Sequence, residues 1–164
     1  MIRIGLISDT HGFMDDKIAS YLEPCDAIWH AGDIGSISVI EKLESLKKKL
    51  FIVHGNIDSH EIRSIAPKEL IFHTEDVKVA ITHIGGYPGK YTFEARNLIE
   101  KNRPNIFVCG HSHILKIIKD NNYNLMHLNP GAIGKSGYHK VRTIIRFSID
   151  GKELKNIEII EINR

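Results

Sequence analysis

The chain has 164 residues, 42% hydrophobic and 26% charged, with a formal net charge of +2. That is one domain's length, enough to bury a core unaided, and the apolar fraction excludes a disordered or fibrous chain. So balanced a charge gives no sign of a nucleic-acid face. The one basic run, Lys47-Lys-Lys49, follows a helical stretch whose dipole it complements.

Two cysteines, Cys25 and Cys109, lie in or beside apolar sequence without a CxxC pair. They read as buried free thiols of a reducing compartment. The N-terminus enters a strand directly, without the basic and apolar regions of a signal peptide, and no apolar run approaches the ~18 residues of a membrane span. A cytoplasmic protein with no membrane partner is expected, forming a single domain over residues 1–164.

In chain order, Ile2 to Ser8 is a short β-branched run, a strand of a sheet interior, and it ends in Asp9-Thr-His11-Gly12. Asp15 to Leu22 has helical spacing and stops at Pro24. Ala27 to Ala31 is a second strand, ending in Gly32-Asp33, and Ser38 to Leu46 is an amphipathic helix. Leu50 to Val53 is a third strand, ending in His54-Gly-Asn-Ile-Asp58. From Leu70 two strands flank Glu75-Asp76, and the second, Val77 to Thr82, ends at His83. Gly85 to Gly89 is a loop by composition, Thr92 to Lys101 a helix, and Ile106 to Cys109 a strand ending in Gly110-His-Ser-His113. The last third is strand-rich, with hairpin signals at Asn121-Asn122 and, more strongly, at Asp150-Gly151.

Asp9, Asp33, Asn56, His83 and His111 each fall just past the carboxyl end of a predicted strand. In open α/β sheets the site lies in the crevice outside those ends. Carboxylate oxygens and imidazoles without a thiolate suit manganese, iron, cobalt, nickel or zinc.

Taken in order, Asp9-x-His11, Gly32-Asp33, Gly55-Asn56, His83 and Gly110-His-Ser-His113 resemble the signature of the metallophosphoesterase (calcineurin-like phosphoesterase) superfamily. Asn129-Pro-Gly131 is similar to that family's later turn, and the short chain is most similar to its small bacterial and archaeal phosphodiesterases. The resemblance implies a dimetal phosphodiester hydrolase with a metal-bridging hydroxide as nucleophile. It implies two divalent ions, manganese first among iron, nickel and zinc, held by Asp9, His11 and His113 on one side and by Asn56, His83 and His111 on the other. Asp33 would bridge them, and Asp33 and Asn56 would be catalytic. The implied partner is a small phosphodiester or nucleotide, with self-association left open. The expected fold is a four-layer α/β/β/α sandwich of two mixed sheets, the Asp150-Gly151 hairpin lying in the strand-rich one.

Relatives often carry a histidine where this chain has Ile57 and another where it has Gly85, so no motif residue remains to protonate a leaving group. His60 and His139 are the candidate substitutes; Tyr87 and Lys90, in the loop after His83, are candidate substrate contacts. His54 and His127 alternate with apolar neighbours and read as core or ligand-supporting positions, and His73 as solvent-facing. His30 either orients a ligand through its second ring nitrogen or packs, and Asp58 either orients a ligand or caps a loop. Two other functions fit the same fold: a phosphomonoesterase, and a scaffold resembling the small subunit of retromer. The completeness of the metal ligands favours an enzyme.

Overall fold

The computed structural model describes residues 1–164. β1 (Ile2–Ile7) is buried from Ile4 onward, so both of its faces need cover. It pairs in parallel with β2 (Ala27–His30), which pairs in parallel with β3 (Lys49–Ile52). The crossovers are α1 (Asp16–Leu22), capped by the Asp15 carboxylate accepting the Ile18 N–H at 2.9 Å, and α2 (Ile37–Ser45). A third helix, α3 (His60–Ile65), was not apparent in the sequence: it is six residues long and buries only Ile62, too little for periodicity to register.

The second sheet runs β4-β5-β8-β10-β9. Its strands are β4 (Glu69–Thr74), β5 (Val77–Thr82), β8 (Ile106–Val108), β9 (Leu115–Asp120) and β10 (Leu125–Pro130). The stretch read as a loop holds a small hairpin, β6 (Gly86–Tyr87) and β7 (Lys90–Tyr91), followed by α4 (Phe93–Asn102).

One expectation is corrected. The strand-rich last third does not stay in one sheet: β9 and β10 join the second, whereas the Asp150-Gly151 hairpin, β11 (Val141–Asp150) and β12 (Glu153–Asn163), joins the first, β11 lying antiparallel to β1. The reason is that both faces of β11 are buried. Ile145, Phe147 and Ile149 enter the core between the sheets, while Ile144 packs under the helices. Only an interior position satisfies both, and the charged β12 then closes the edge.

Three apolar clusters make four layers. One lies between the sheets around Leu6, Trp29, Ile81 and Val108; one packs α1, α2 and α3 on the first sheet; one packs α4 on the second through Ala80, Leu98, Ile99 and Phe107. The fold is the expected α/β/β/α sandwich of two five-stranded mixed sheets. Cys25 and Cys109 are buried and free, and no helix is long and apolar enough to cross a membrane.

Candidate metal centre

The strands β1, β2, β3, β5 and β8 all end at one edge, where the chain adopts unusual backbone. Asp9 (φ 56°), His11 (47°), Asp33 (55°), His111 (69°) and His113 (61°) are left-handed, half of the ten non-glycine residues that are. Such a residue costs on the order of 1–3 kcal/mol and persists only where its surroundings over-determine it. Here they do. The N–H groups of Asp9, His11 and Gly12 donate to the carbonyls of Gly32, Asp33 and Ile34 at 2.9, 3.0 and 2.8 Å, and Gly134 N–H donates to Asp9 O at 3.0 Å.

This backbone turns two sets of donors toward one another: Asp9, His11 and His113, and Asp33, His83 and His111, each set with its ligand atoms within 4.8 Å. Each carboxylate divides its oxygens. Asp9 Oδ2 accepts from Ser8 Oγ at 2.6 Å and His111 N–H at 3.2 Å, leaving Oδ1 3.1 Å from His113 Nε2 and 3.6 Å from His11 Nε2. Asp33 Oδ1 accepts from Ile57 N–H at 3.1 Å, leaving Oδ2 3.4 Å from His11 Nε2 and 3.2 Å from His83 Nε2. His83 Nδ1–H donates to Ala31 O at 2.7 Å, so its Nε2 is the nitrogen presented to the centre. The Nε2 atoms of His11 and His83 are buried without a well-aligned partner. Buried polar atoms are normally satisfied, so the pair marks space for a further group, and the donor set fits divalent cations.

In the protein alone the imidazoles supply the positive charge. Burial works against ionising Asp9, but His11, His113, His83 and Ser8 outweigh it and hold the carboxyl well below its usual range. Burial likewise opposes ionisation of Asp33, and His83 outweighs it. His11 is raised by Asp9, and His83, despite its burial, is raised by Asp33 and Asp9.

Around these donors lies a frame. Asp58 does not touch them: its carboxylate accepts the N–H groups of Ile34 (3.1 Å), Gly35 (2.8 Å) and Gly55 (2.7 Å), tying the loop of Asp33 to that of Asn56. Asn129 Nδ2 donates to Gly110 O at 3.0 Å and Ser112 Oγ at 3.1 Å, bracing the loop of His111 and His113. His30 contacts no ligand side chain. Thr10 Oγ donates to Ile34 O at 2.7 Å, so His30 Nε2–H must donate to Thr10 Oγ at 3.0 Å, while its Nδ1 accepts from Gly32 N–H at 3.1 Å. It is the neutral tautomer, its pKa pushed down to about 4 by burial.

Ser8, Thr10 and Arg63 were missed in the sequence: the partners of Thr10 lie 20 and 24 residues away, and those of Ser8 and Arg63, though near in the chain, follow no helix or strand spacing. Arg63, on α3, donates to the carbonyls of Asp58 (2.9 Å), Gly55 (3.4 Å) and Asn56 (3.3 Å). The glycines before Asp33, Asn56 and His111, expected to let the backbone turn tightly into the site, have different reasons. Only Gly32 needs its backbone freedom (φ 103°). Gly55 and Gly110 lack positive φ; a Cβ there would overlap Asp33 and Ser8, respectively.

Of the other candidates, Asn56 and His139 border the centre, whereas His60, Tyr87 and Lys90 lie away from it. Asn56 is exposed beside His83 on a cleft of about 600 Å³ whose lining includes His54, Lys68 and Phe93 but neither Tyr87, Lys90 nor His60. His60 starts α3. Tyr87 stands 6.2 Å from the ring of His127, so its hairpin covers the outer face of the second sheet; Lys90 is exposed on that hairpin. His127 is a core residue among Tyr91, Phe107 and Cys109. His139 packs edge-on against His113 with ring centroids 5.2 Å apart and donates from Nε2 to Gly134 O at 2.8 Å. His73 is exposed, as expected.

The sequence profile of the calcineurin-like phosphoesterase superfamily domain matches residues 2–152. The chain belongs to that superfamily. A probable metallophosphoesterase of Methanothermobacter thermautotrophicus is 29% identical over 136 residues, covering 79% of this chain and 76% of that one. Among solved structures, Vps29 of Chaetomium thermophilum superposes with a TM-score of 0.77 at 13% identity, covering 99% of this chain and 97% of that one. A structure described as a novel archaeal phosphodiesterase superposes with a TM-score of 0.73 at 22% identity, covering 98% and 100%. These likenesses show that this calcineurin-like phosphoesterase shares their fold.

Proposed function

We propose that this phosphoesterase hydrolyses phosphodiesters with two divalent ions bound in the centre. The observation that carries the reading is the position of Asp33 Oδ2, 3.4 Å from His11 Nε2 and 3.2 Å from His83 Nε2, between the two donor sets. One ion would be held by Asp9, His11 and His113, the other by Asn56, His83 and His111, with Asp33 shared through that single oxygen. Such a pair, with manganese the first candidate and iron, nickel or zinc the others, would polarise the phosphoryl group and lower the pKa of a bound water. The protein holds the ligands in place: Ile57 N–H fixes Asp33, Ser8 and His111 N–H fix Asp9, and Ala31 O selects the His83 tautomer. Preorganised dipoles of this kind cost no reorganisation during the reaction.

A preference for good leaving groups is supported by what flanks the centre. Ile57 is exposed where relatives often have a proton donor, and at Gly85 a Cβ would meet the Cys109 side chain within 2.8–2.9 Å, so no histidine fits. Diesters with good leaving groups need little proton delivery, and rates should rise steeply as leaving-group pKa falls. The complete donor set gives no reason to prefer a pure assembly role. The test is turnover of an aryl phosphodiester against the matching monoester with each metal added in turn. Faster monoester turnover would overturn the diester assignment; no turnover of either with any metal would overturn the enzyme.

A further inference from the structure

The cleft of about 600 Å³ beside the metal centre has a composition that the centre does not explain. It begins at Asn56 and His83 and extends between the α3 side, where Arg63 and Lys68 stand, and the start of α4. Its volume is that of a small-molecule pocket, well beyond the need of a phosphoryl group. Its apolar residues are Ile84, 42% exposed, and Phe93, 71% exposed. Phe93 is the first residue of α4, where Thr92 already caps the helix by accepting the Ala95 N–H at 3.1 Å, so helix formation places no demand for an aromatic ring there.

The polar groups of the cleft are mostly committed. Arg63 donates to three backbone carbonyls, and Lys68 pairs with Glu94 at 2.7 Å. Thr92 Oγ donates toward Ile84 O at 3.4 Å. His54 is different. Its Nδ1–H donates to Ala66 O at 2.8 Å, which leaves Nε2 as an unshared acceptor on a residue that lines the cleft. A flat apolar surface beside an imidazole acceptor fits an uncharged planar ring carrying an N–H donor.

Resting on the reading of the centre as a phosphodiesterase, we propose that this cleft binds a nucleobase-like ring on one side of the diester, stacked on Phe93 and read by His54 Nε2. Stacking a base on an aromatic side chain is sequence-tolerant and strong enough to change affinity by about tenfold or more. His54 then adds selectivity, because an acceptor in the cleft favours a ring that donates over one that does not.

The probes are adenosine 5′-monophosphate, ribose 5-phosphate and purine riboside 5′-monophosphate, titrated calorimetrically into the manganese-loaded protein. The parent is expected to bind adenosine 5′-monophosphate about tenfold more tightly than ribose 5-phosphate. Phe93→Ala, a change at an exposed position, should erase that preference and leave ribose 5-phosphate unaffected. His54→Asn, whose amide N–H can replace the Nδ1–H donation to Ala66 O but which has no acceptor at the position of Nε2, should reduce the preference for adenosine over purine riboside while keeping the stacking. Equal binding of the base-bearing and base-free probes by the parent, or a preference untouched by Phe93→Ala, overturns the proposal; an unaltered adenosine preference in His54→Asn overturns the role of His54. Diester hydrolysis by the parent is measured alongside: its absence condemns the reading of the centre, whereas hydrolysis without base preference condemns the cleft alone.

Discussion

Two buried histidines show what neighbours make of one side chain. His83, at the end of β5, faces Asp33 and Asp9, and its pKa is raised even though its burial pushes the other way. His127, on β10, is packed among Tyr87, Tyr91, Phe107 and Cys109, and burial brings its pKa down to about 4. Cys109 behaves alike, its thiol pushed up to about 12 by burial. A buried imidazole thus joins a candidate cation site where ionised carboxylates and left-handed donor residues converge on it, and the core where aromatic rings do. Their linkage to stability has opposite signs. In the metal-free protein His83 stabilises the fold fully below about pH 6.5 and loses that contribution as pH rises through its elevated pKa; His127 contributes above about pH 6.5 and loses it as pH falls toward 4.

Asp33→Ala should break the crevice side of this contrast most severely. Loss of the shared oxygen is expected to lower kcat/KM for an aryl diester by on the order of 10³-fold, as removal of a principal electrostatic stabiliser does. Elemental analysis should find both ions depleted, whereas His113→Ala should chiefly weaken one. Full occupancy in Asp33→Ala would mean that the two donor sets are joined elsewhere.

Next in size is Asp58→Ala. Three backbone N–H groups lose their acceptor, and a stability loss of roughly 3 kcal/mol is expected in urea titration, with metal affinity lower by about 10–100-fold. Unchanged stability would show that the Asp33 and Asn56 loops hold their positions without it.

The other side is sharpened by His127→Leu. Between about pH 4 and 6.5 the unfolded chain binds a proton that folded His127 refuses, so stability falls by about 1.4 kcal/mol per pH unit for each such group. His30, with its pKa also near 4, has the same sign and keeps its slope in the variant. Removing His127 should therefore flatten the acid limb by up to one proton. An undiminished slope would mean that His127 takes up a proton in place.

The smallest effect concerns the hairpin that roofs His127. Lys90→Ala is expected to leave KM within about twofold, because Lys90 lies outside the cleft, while Tyr87→Ala should cost about 1 kcal/mol of stability through lost aromatic packing. A KM that climbs with a stable fold would return the hairpin to the substrate.

Strand ends and the four-layer class were legible in the sequence, because apolar runs that stop at Asp9, Asp33, Asn56, His83 and His111 put polar chemistry at the strand ends whatever the details of packing. The helices starting near Asp15 and Thr92 were legible too, and each is capped by a side chain three residues from the N–H it accepts. What only the tertiary structure decided involves partners far apart in the chain. β11 lies in the first sheet with both of its faces buried, Ile145, Phe147 and Ile149 on one and Ile144 on the other, a demand that an interior position beside β1 meets. Asp33 presents one oxygen rather than two, because Ile57 N–H occupies the other. His54 faces a cleft, and Tyr87 faces the core, because α3, α4 and the β6–β7 hairpin pack where they do. Periodicity and spacing specify elements and their ends, whereas the second partner of a hydrogen bond is fixed only when the sheets meet.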